Sequence, residues 1–143
     1  MTTPGTPQQN GVAERRNIIL LDMVRSMLSY SLLPISFWAL VLETAVYLLN
    51  LAPSKSVPKT PIELWSSCRP SLRHVRIWKS LAHVLKPKAD KMDSRFEVCM
   101  FVGYPKRTMR GLFYSPQDRN VFIDILFTFF EEYYIMTYNL RVR

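Results

Sequence analysis

Apolar residues recur at helical spacing in the first half of the chain. Residues 1–10 are rich in Thr, Pro and Gln and predict a loop. From about Val12 to Tyr30 the apolar positions follow an i, i+3, i+4, i+7, i+8 pattern, which is typical of a helix that buries one face. These positions are Leu20, Met23, Val24, Met27 and Leu28.

A second helix is predicted from Pro34, which suits a first helical turn, to about Asn50, because two prolines follow. A short helical turn ending near Trp65 comes next. Thr60 is suited to cap this turn and Pro61 to occupy its first position.

After Leu72 the apolar period changes from about 3.6 to two, which indicates short strands separated by turns. Five short strands within about sixty residues are typical of a small β-barrel. The predicted strands are Val75–Trp78, Ala82–Leu85, Glu97–Val102, Gly111–Tyr114 and Val121–Ile125.

The stretch Leu32–Ala52 is apolar and as long as a membrane span. Glu43 falls at its centre, however, where a carboxylate is costly in lipid. Polar residues at 36, 43, 47 and 50 share one narrow stripe of a helix, which suits a protein interior. We therefore expect no membrane association, and a single-pass membrane protein is the weaker alternative. The polar N-terminus has no apolar segment typical of a signal peptide.

The composition supports a folded, basic protein. Of the 143 residues, 48% are hydrophobic, and the formal net charge is +8. This balance favours a polyanionic partner, nucleic acid before membrane. The segment from Arg69 to Lys91 holds seven basic residues and one acid, although a solvated basic surface would look the same. Cys68 and Cys99 form no zinc-binding pattern.

Thr6–Asn17, with the sequence TPQQNGVAERRN, is the most informative motif. Taken alone, Glu14 is explained as a carboxylate that stabilises the start of a helix. The residues PQQNGVAERRN, however, resemble the last acidic motif of DDE-type integrases, and most closely the integrases of copia-type LTR retrotransposons. The similarity extends over roughly residues 4–132. It includes Leu20–Leu28, Leu33–Trp38, Tyr47–Asn50, Pro53–Lys55, Lys59–Trp65, Pro70–Leu72 and Phe101–Tyr104.

The resemblance implies an α+β protein with two long helices from the end of a ribonuclease-H-like integrase core and a small SH3-like β-barrel. The implied division is a truncated core over residues 1–66, a linker over 67–74, the barrel over 75–132 and a tail over 133–143. The helices would then lack the sheet that they cover in the whole core. We therefore expect a marginally stable protein that self-associates through exposed apolar helix faces.

By the same resemblance, Glu14 corresponds to the third carboxylate of a site that binds Mg²⁺ or Mn²⁺ in the parent enzyme. Two such ions clamp the attacking and leaving oxygens, and a single carboxylate cannot hold both. The other two family ligands are aspartates upstream, but no acid precedes Glu14 here. Asp22 lies about 12 Å further along the helix. We expect no bound metal and no strand transfer by these residues alone.

The resemblance also implies DNA and other integrase subunits as partners, and a location in the nucleus or the cytoplasm. Arginine and lysine contact phosphates without reading sequence. The expected DNA-binding residues are Gln9, Asn10, Arg15, Arg16, Lys79, Lys86, Lys88, Lys106 and Arg107. The two arginines could instead merely cover a helix end. Ile18 departs from the family, in which a basic residue is usual at this position.

Aromatic residues interleave with these bases in the second half, namely Trp78, Tyr104, Phe113 and Tyr114. They suit either a base-stacking surface or an ordinary core. The remaining alternative is a non-catalytic module that binds DNA or another protein through the barrel.

Overall fold

A computed structural model describes residues 7–86, 90–106 and 110–130. The chain divides into two compact units, Met1–Pro70 and Ser71–Arg143. The first is helical and the second contains a five-stranded antiparallel sheet. The α+β class predicted from the sequence is confirmed at this level.

Helix α1 spans Pro7–Ser31. The loop prediction is therefore wrong for residues 7–10, because proline at a first helical position has a backbone angle already suited to the helix. The helix ends where Leu32 adopts a left-handed conformation, with φ 56°. Its N–H donates to the Leu28 oxygen at 3.1 Å, which satisfies one carbonyl of the last turn.

A 3-10 turn at Ile35–Phe37 leads into helix α2, Trp38–Leu51. The predicted second helix is thus confirmed, with a tighter first turn. Val41 and Ala45 are fully buried on α2. In the part of the chain that the structure describes, no helix is both long and apolar enough to cross a membrane.

Helix α3, Pro61–Ser66, begins with the predicted cap. The Thr60 hydroxyl accepts a hydrogen bond from the Glu63 N–H at 3.2 Å, and the Glu63 carboxylate accepts one from the Thr60 N–H at 2.7 Å. This reciprocal arrangement satisfies two amide groups that a helix start would otherwise leave without partners.

The sheet consists of β1 Leu81–Leu85, β2 Phe96–Gly103, β3 Gly111–Ser115, β4 Asn120–Asp124 and β5 Phe127–Phe129. Its spatial order is β4-β3-β2-β1-β5, and every neighbouring pair is antiparallel. Four of the predicted strands overlap β1 to β4.

The predicted strand Val75–Trp78 is wrong, and β5 takes its place as the fifth strand. The Val75 N–H closes a turn onto the Leu72 oxygen at 3.1 Å. The Arg76 N–H bonds the Tyr104 hydroxyl rather than a neighbouring strand. The alternating pattern in this segment therefore reflects side chains that anchor a turn, and not the hydrogen-bond ladder of a β-strand.

The core of the sheet unit is a cluster of buried side chains. Its buried members are Ala82, Val84, Cys99, Phe101, Phe113 and Phe129. The rings of Phe113 on β3 and Phe127 on β5 are 4.8 Å apart between centroids, although β2 and β1 separate these strands. The sheet must curl to allow this contact. The register of β2 against β3 shifts between Phe101 and Gly103, and Gly103 has φ 154°, which favours glycine.

Candidate nucleic-acid interface

Glu14 lies two turns inside α1, on the exposed surface of the helix. Because α1 begins at Pro7, the carboxylate is beyond the amide groups of the first turn. The explanation of Glu14 as a helix-start residue is therefore wrong. Its nearest described partner is Asn10, whose side-chain nitrogen donates to Glu14 Oε1 at 3.4 Å.

The residues around Glu14 do not fit a divalent metal ion. Within residues 7–86, 90–106 and 110–130, no three His, Cys, Asp or Glu side chains are grouped closely enough to hold a metal. Asp22 contacts Arg25 instead, with 3.6 Å between Oδ1 and Nη1. No catalytic step can be assigned to this donor set.

The two arginines that follow Glu14 have different surroundings. Arg16 Nη2 donates to Asn50 Oδ1 at 2.7 Å, which links α1 to the last turn of α2. Arg15 is exposed and Asn10 bonds Glu14. The backbone of Gln9 is in α1, but its side chain lies outside the described part of the chain. The predicted contacts of these residues with DNA stay predictions.

Three of the five predicted bases in the sheet unit can be located. Lys79 is half-buried in a left-handed conformation with φ 70°, and its N–H donates to the Phe101 oxygen at 2.7 Å. Lys86 is half-buried and Lys106 is exposed. Lys88 and Arg107 lie outside the described residues.

Four further bases of the sheet unit were not among the expected DNA-binding residues. Arg73, Lys91, Arg95 and Arg110 are all exposed. Lys91 and Arg95 flank the turn that leads into β2, and their clustering in sequence was the available signal. Arg76 differs, because its guanidinium lies 5.1 Å from the centroid of the Phe129 ring and is held at the core edge.

The interleaved aromatics belong mainly to the core. Trp78 is 6% exposed and Phe113 is fully buried. The Tyr104 ring packs edge-on against Phe101, with 5.0 Å between centroids. Trp78 and Phe113 therefore offer no face on which a base could stack.

A groove of about 700 Å³ runs beside β4. Lys86 and Arg110 contribute positive charge to its lining, whereas Glu97, Asp118 and Asp124 contribute negative charge. The buried Glu97 carboxylate accepts a hydrogen bond from the Ser115 hydroxyl. Such mixed charge makes the groove a poor site for a DNA backbone.

Cys99 lies at the centre of β2 and is fully buried. Burial in the first place, together with the Glu97 and Asp118 carboxylates, raises the pKa of its thiol from 9.0 to about 11. The thiol is therefore protonated and unreactive near neutral pH. Cys68, by contrast, is exposed.

Comparisons with known proteins place the sheet unit in context. Residues 79–139 match the family described as the retroviral polymerase SH3-like domain. The chain is 37% identical over 123 residues, 84% of its length, to the retrovirus-related Pol polyprotein from transposon TNT 1-94 of Nicotiana tabacum. It is 27% identical over 104 residues, 71% of its length, to the corresponding polyprotein from transposon RE1 of Arabidopsis thaliana.

These relatives are far longer than the chain, which covers 9% of the first and 7% of the second. No solved structure matches the chain.

Proposed function

This chain belongs to the copia-type retrotransposon Pol polyproteins and has their SH3-like domain. We propose on this basis that it is a non-catalytic part of an integrase that binds DNA. The observation that carries the proposal is the 123-residue similarity to the TNT 1-94 polyprotein, which is long enough to involve both the helical and the sheet unit. The inferred role is in DNA integration.

The helical unit is, in this proposal, the end of a ribonuclease-H-like core. Glu14 is then the third carboxylate of a metal site whose other ligands are aspartates of the parent polyprotein. Mg²⁺ or Mn²⁺ would supply Lewis acidity in that larger enzyme. In this proposal the chain alone performs no strand transfer, which is supported by the lack of any group of three metal-ligating side chains among the described residues.

The sheet unit contacts DNA through its exposed bases. Phosphate recognition needs positive side chains that solvent can reach, and it does not need a base-reading groove. Lys91, Arg95 and Lys106 meet this condition. Lys88 and Arg107 are neighbours of these residues in sequence, and they stay predicted contacts because they lie outside the described residues.

Duplex DNA affinity tests this role. We expect the dissociation constant of the full chain to rise steeply as salt increases from ~50 to ~200 mM, because each phosphate contact releases counterions. The double variant Lys91→Glu/Arg95→Glu should bind roughly ten-fold more weakly, with a salt slope smaller by about two.

Lys55→Glu/Lys59→Glu is the matched control, since it makes the same change in net charge on exposed residues of the helical unit. It should weaken binding much less. Equal effects of the two double variants, or an affinity independent of salt, would contradict the proposed DNA surface. Joining of DNA ends by the purified chain with Mg²⁺ or Mn²⁺ would contradict the non-catalytic role.

Protein binding by the SH3-like domain alone is the second candidate, and the groove beside β4 favours it. Its lining combines apolar Val84 and Ile123 with charges of both signs, a composition suited to a peptide. Salt-insensitive, weak DNA binding would favour this candidate over the first.

A further inference from the structure

One exposed stripe of α1 has a regular pattern that its packing against α2 does not use. Gly11, Glu14, Ile18, Leu21 and Arg25 recur at spacings of three or four residues, so they lie on one side of the helix. All five are exposed, with Ile18 at 60% and Leu21 at 52%. We name these five residues the α1 stripe.

The half-buried residues of α1 lie on another side of the helix. They include Leu20, Val24 and Met27, together with the buried Ser31 at its end. An apolar pair at the centre of an exposed stripe, flanked by opposite charges, is therefore left at the surface. Phosphate binding does not explain the apolar pair, because isoleucine and leucine offer phosphate no donor.

The α1 stripe is complementary to itself when it is reversed. About a midpoint between Ile18 and Leu21, reversal brings each of these two residues opposite the other. The same reversal brings Glu14 opposite Arg25. Since the rise is 1.5 Å per residue, Glu14 and Arg25 each lie about 8 Å from the midpoint, on opposite sides of it.

A two-fold axis through this midpoint would form every contact twice. Two copies of α1 in antiparallel orientation would bury both apolar pairs at the centre. A Glu14–Arg25 ion pair would close each end, as charged positions flank the apolar seam in paired helices. Gly11 lies at the periphery of the stripe, where no described atom of this chain lies within 4 Å of the place that its Cβ would occupy.

Glu14 and Arg25 also make contacts within their own chain, but these contacts are too weak to compete strongly with an ion pair between two copies. Arg25 and Asp22 are 3.6 Å apart, with the two side chains 75% and 66% exposed. Exposed pairs of this kind contribute little to stability. The Asn10 contact to Glu14 is long, at 3.4 Å.

We propose that the α1 stripe is an antiparallel self-association surface and that its partner is a second copy of this chain. The charge complementarity of Glu14 and Arg25 selects this partner and sets the register. The inference goes beyond the proposed function, which uses Glu14 only as a metal ligand of the parent enzyme. Its test is separate from that of the DNA role, since none of the bases tested there belongs to the stripe.

Sedimentation equilibrium of the full chain, over micromolar to submillimolar concentrations, tests the inference. The sample is treated with nuclease, freed of nucleic acid by a high-salt wash and then measured at roughly 0.1 M salt, so that bridging by DNA cannot contribute and the ion pairs of the seam are only partly screened. We expect a monomer–dimer equilibrium. Ile18→Lys should raise the dimer dissociation constant at least roughly ten-fold, because it brings ammonium groups into the seam.

Ile35→Lys is the matched control, since Ile35 is 80% exposed but lies outside α1. It should leave the dissociation constant unchanged. Helical circular dichroism verifies that each variant is folded, which is expected because both positions are exposed. A wild-type chain that stays monomeric, or an Ile35→Lys variant that dissociates equally, would overturn the proposal.

Charge reversal tests the register. Glu14→Arg and Arg25→Glu should each weaken the dimer several-fold, because each replaces attraction with repulsion. The double reversal Glu14→Arg/Arg25→Glu should return the dissociation constant to within about three-fold of wild type. Two single effects that simply add in the double variant would overturn the antiparallel pairing.

Discussion

The indole nitrogen of Trp78 donates a hydrogen bond to the main-chain oxygen of Val102 at 3.0 Å. Trp78 precedes β1, so this bond fastens the chain before the sheet to the end of β2. Two backbone bonds extend the attachment, from the Lys79 N–H to the Phe101 oxygen and from the Phe101 N–H to the Ser80 oxygen. The buried ring is consequently part of the fold and not of a stacking surface.

Substitution of Trp78 should therefore lower stability without lowering the DNA affinity of the folded protein. Trp78→Phe loses one hydrogen bond and leaves the Val102 oxygen without this donor, a cost of about 1–3 kcal/mol. Trp78→Ala also loses most of the packing and should cost about 3–5 kcal/mol. Urea unfolding measures both changes.

Trp65→Phe is the control for this series, because Trp65 is 94% exposed. Its effect should stay within about 0.5 kcal/mol. If Trp65→Phe were as costly as Trp78→Phe, or if folded Trp78→Phe lost DNA affinity, the structural role of Trp78 would be contradicted.

Local signals were sufficient to predict the helices. Thr60, Pro61 and Glu63 encode the start of α3 through bonds between near neighbours, and the structure forms those bonds. Proline at position 7 should likewise have indicated an earlier start for α1, but the polar residues that follow it have no periodic apolar pattern. Helix periodicity alone therefore could not locate that end.

Which segments form strands depends on hydrogen-bond partners that are distant in sequence, and local patterns do not reveal these partners. The alternation around Trp78 is that of a strand, but the indole and the neighbouring amides bond residues more than twenty positions away. Phe127–Phe129 pairs with β1 across the sheet and was missed for the same reason. The burial of Glu97 was also not predictable, because the hydroxyl that bonds it is eighteen residues away.

For the candidate site, the sequence motif located Glu14 and its neighbours, but tertiary contacts decided what they do. Arg16 bonds Asn50, thirty-four residues distant, which no local pattern indicates. The self-complementary order of the α1 stripe is present in the sequence. That order can matter only if the side chains of the stripe are exposed, and their exposure follows from the way α1 packs against α2.

The hydrogen bond that the Thr60 hydroxyl accepts at the start of α3 should contribute measurably to the stability of the helical unit. Thr60→Ala should destabilise the helical unit by about 1 kcal/mol, because the Glu63 N–H loses its acceptor. Thr60→Ser keeps the hydroxyl and should cost much less. Thermal unfolding followed by circular dichroism compares the two variants, and an equal loss in both would contradict the role of the hydroxyl.

The Glu63 carboxylate contributes to the same cap in a pH-dependent manner. The hydrogen bond from the Thr60 N–H lowers the pKa of Glu63 below its ordinary value of 4.5. A lowered folded-state pKa means that the contribution is present above 4.5 and is lost as the pH falls through the folded value. NMR titration of the carboxyl carbon should show this lower pKa, which should return toward 4.5 on unfolding in urea.

Cys99 predicts a loss of stability at alkaline pH. Its folded-state pKa is raised from 9.0 to about 11, chiefly by burial, so the thiol loses its proton more readily in the unfolded chain. Between about pH 9 and about pH 11 the unfolded state therefore binds fewer protons, and the free energy of unfolding falls as pH rises. Urea unfolding at about pH 8 and about pH 10 should show this fall.

Cys99→Ala separates this effect from the titration of tyrosines and lysines, which all variants share. Its free energy of unfolding should fall less between the two pH values than that of wild type, even if it is less stable at both. Cys68→Ala is the matched control, because Cys68 is exposed and its removal should leave the wild-type fall intact. The same contrast predicts that a thiol reagent modifies Cys68 rapidly in the native protein and Cys99 only after unfolding. An identical alkaline fall in Cys99→Ala and wild type would show that the buried thiol does not control it.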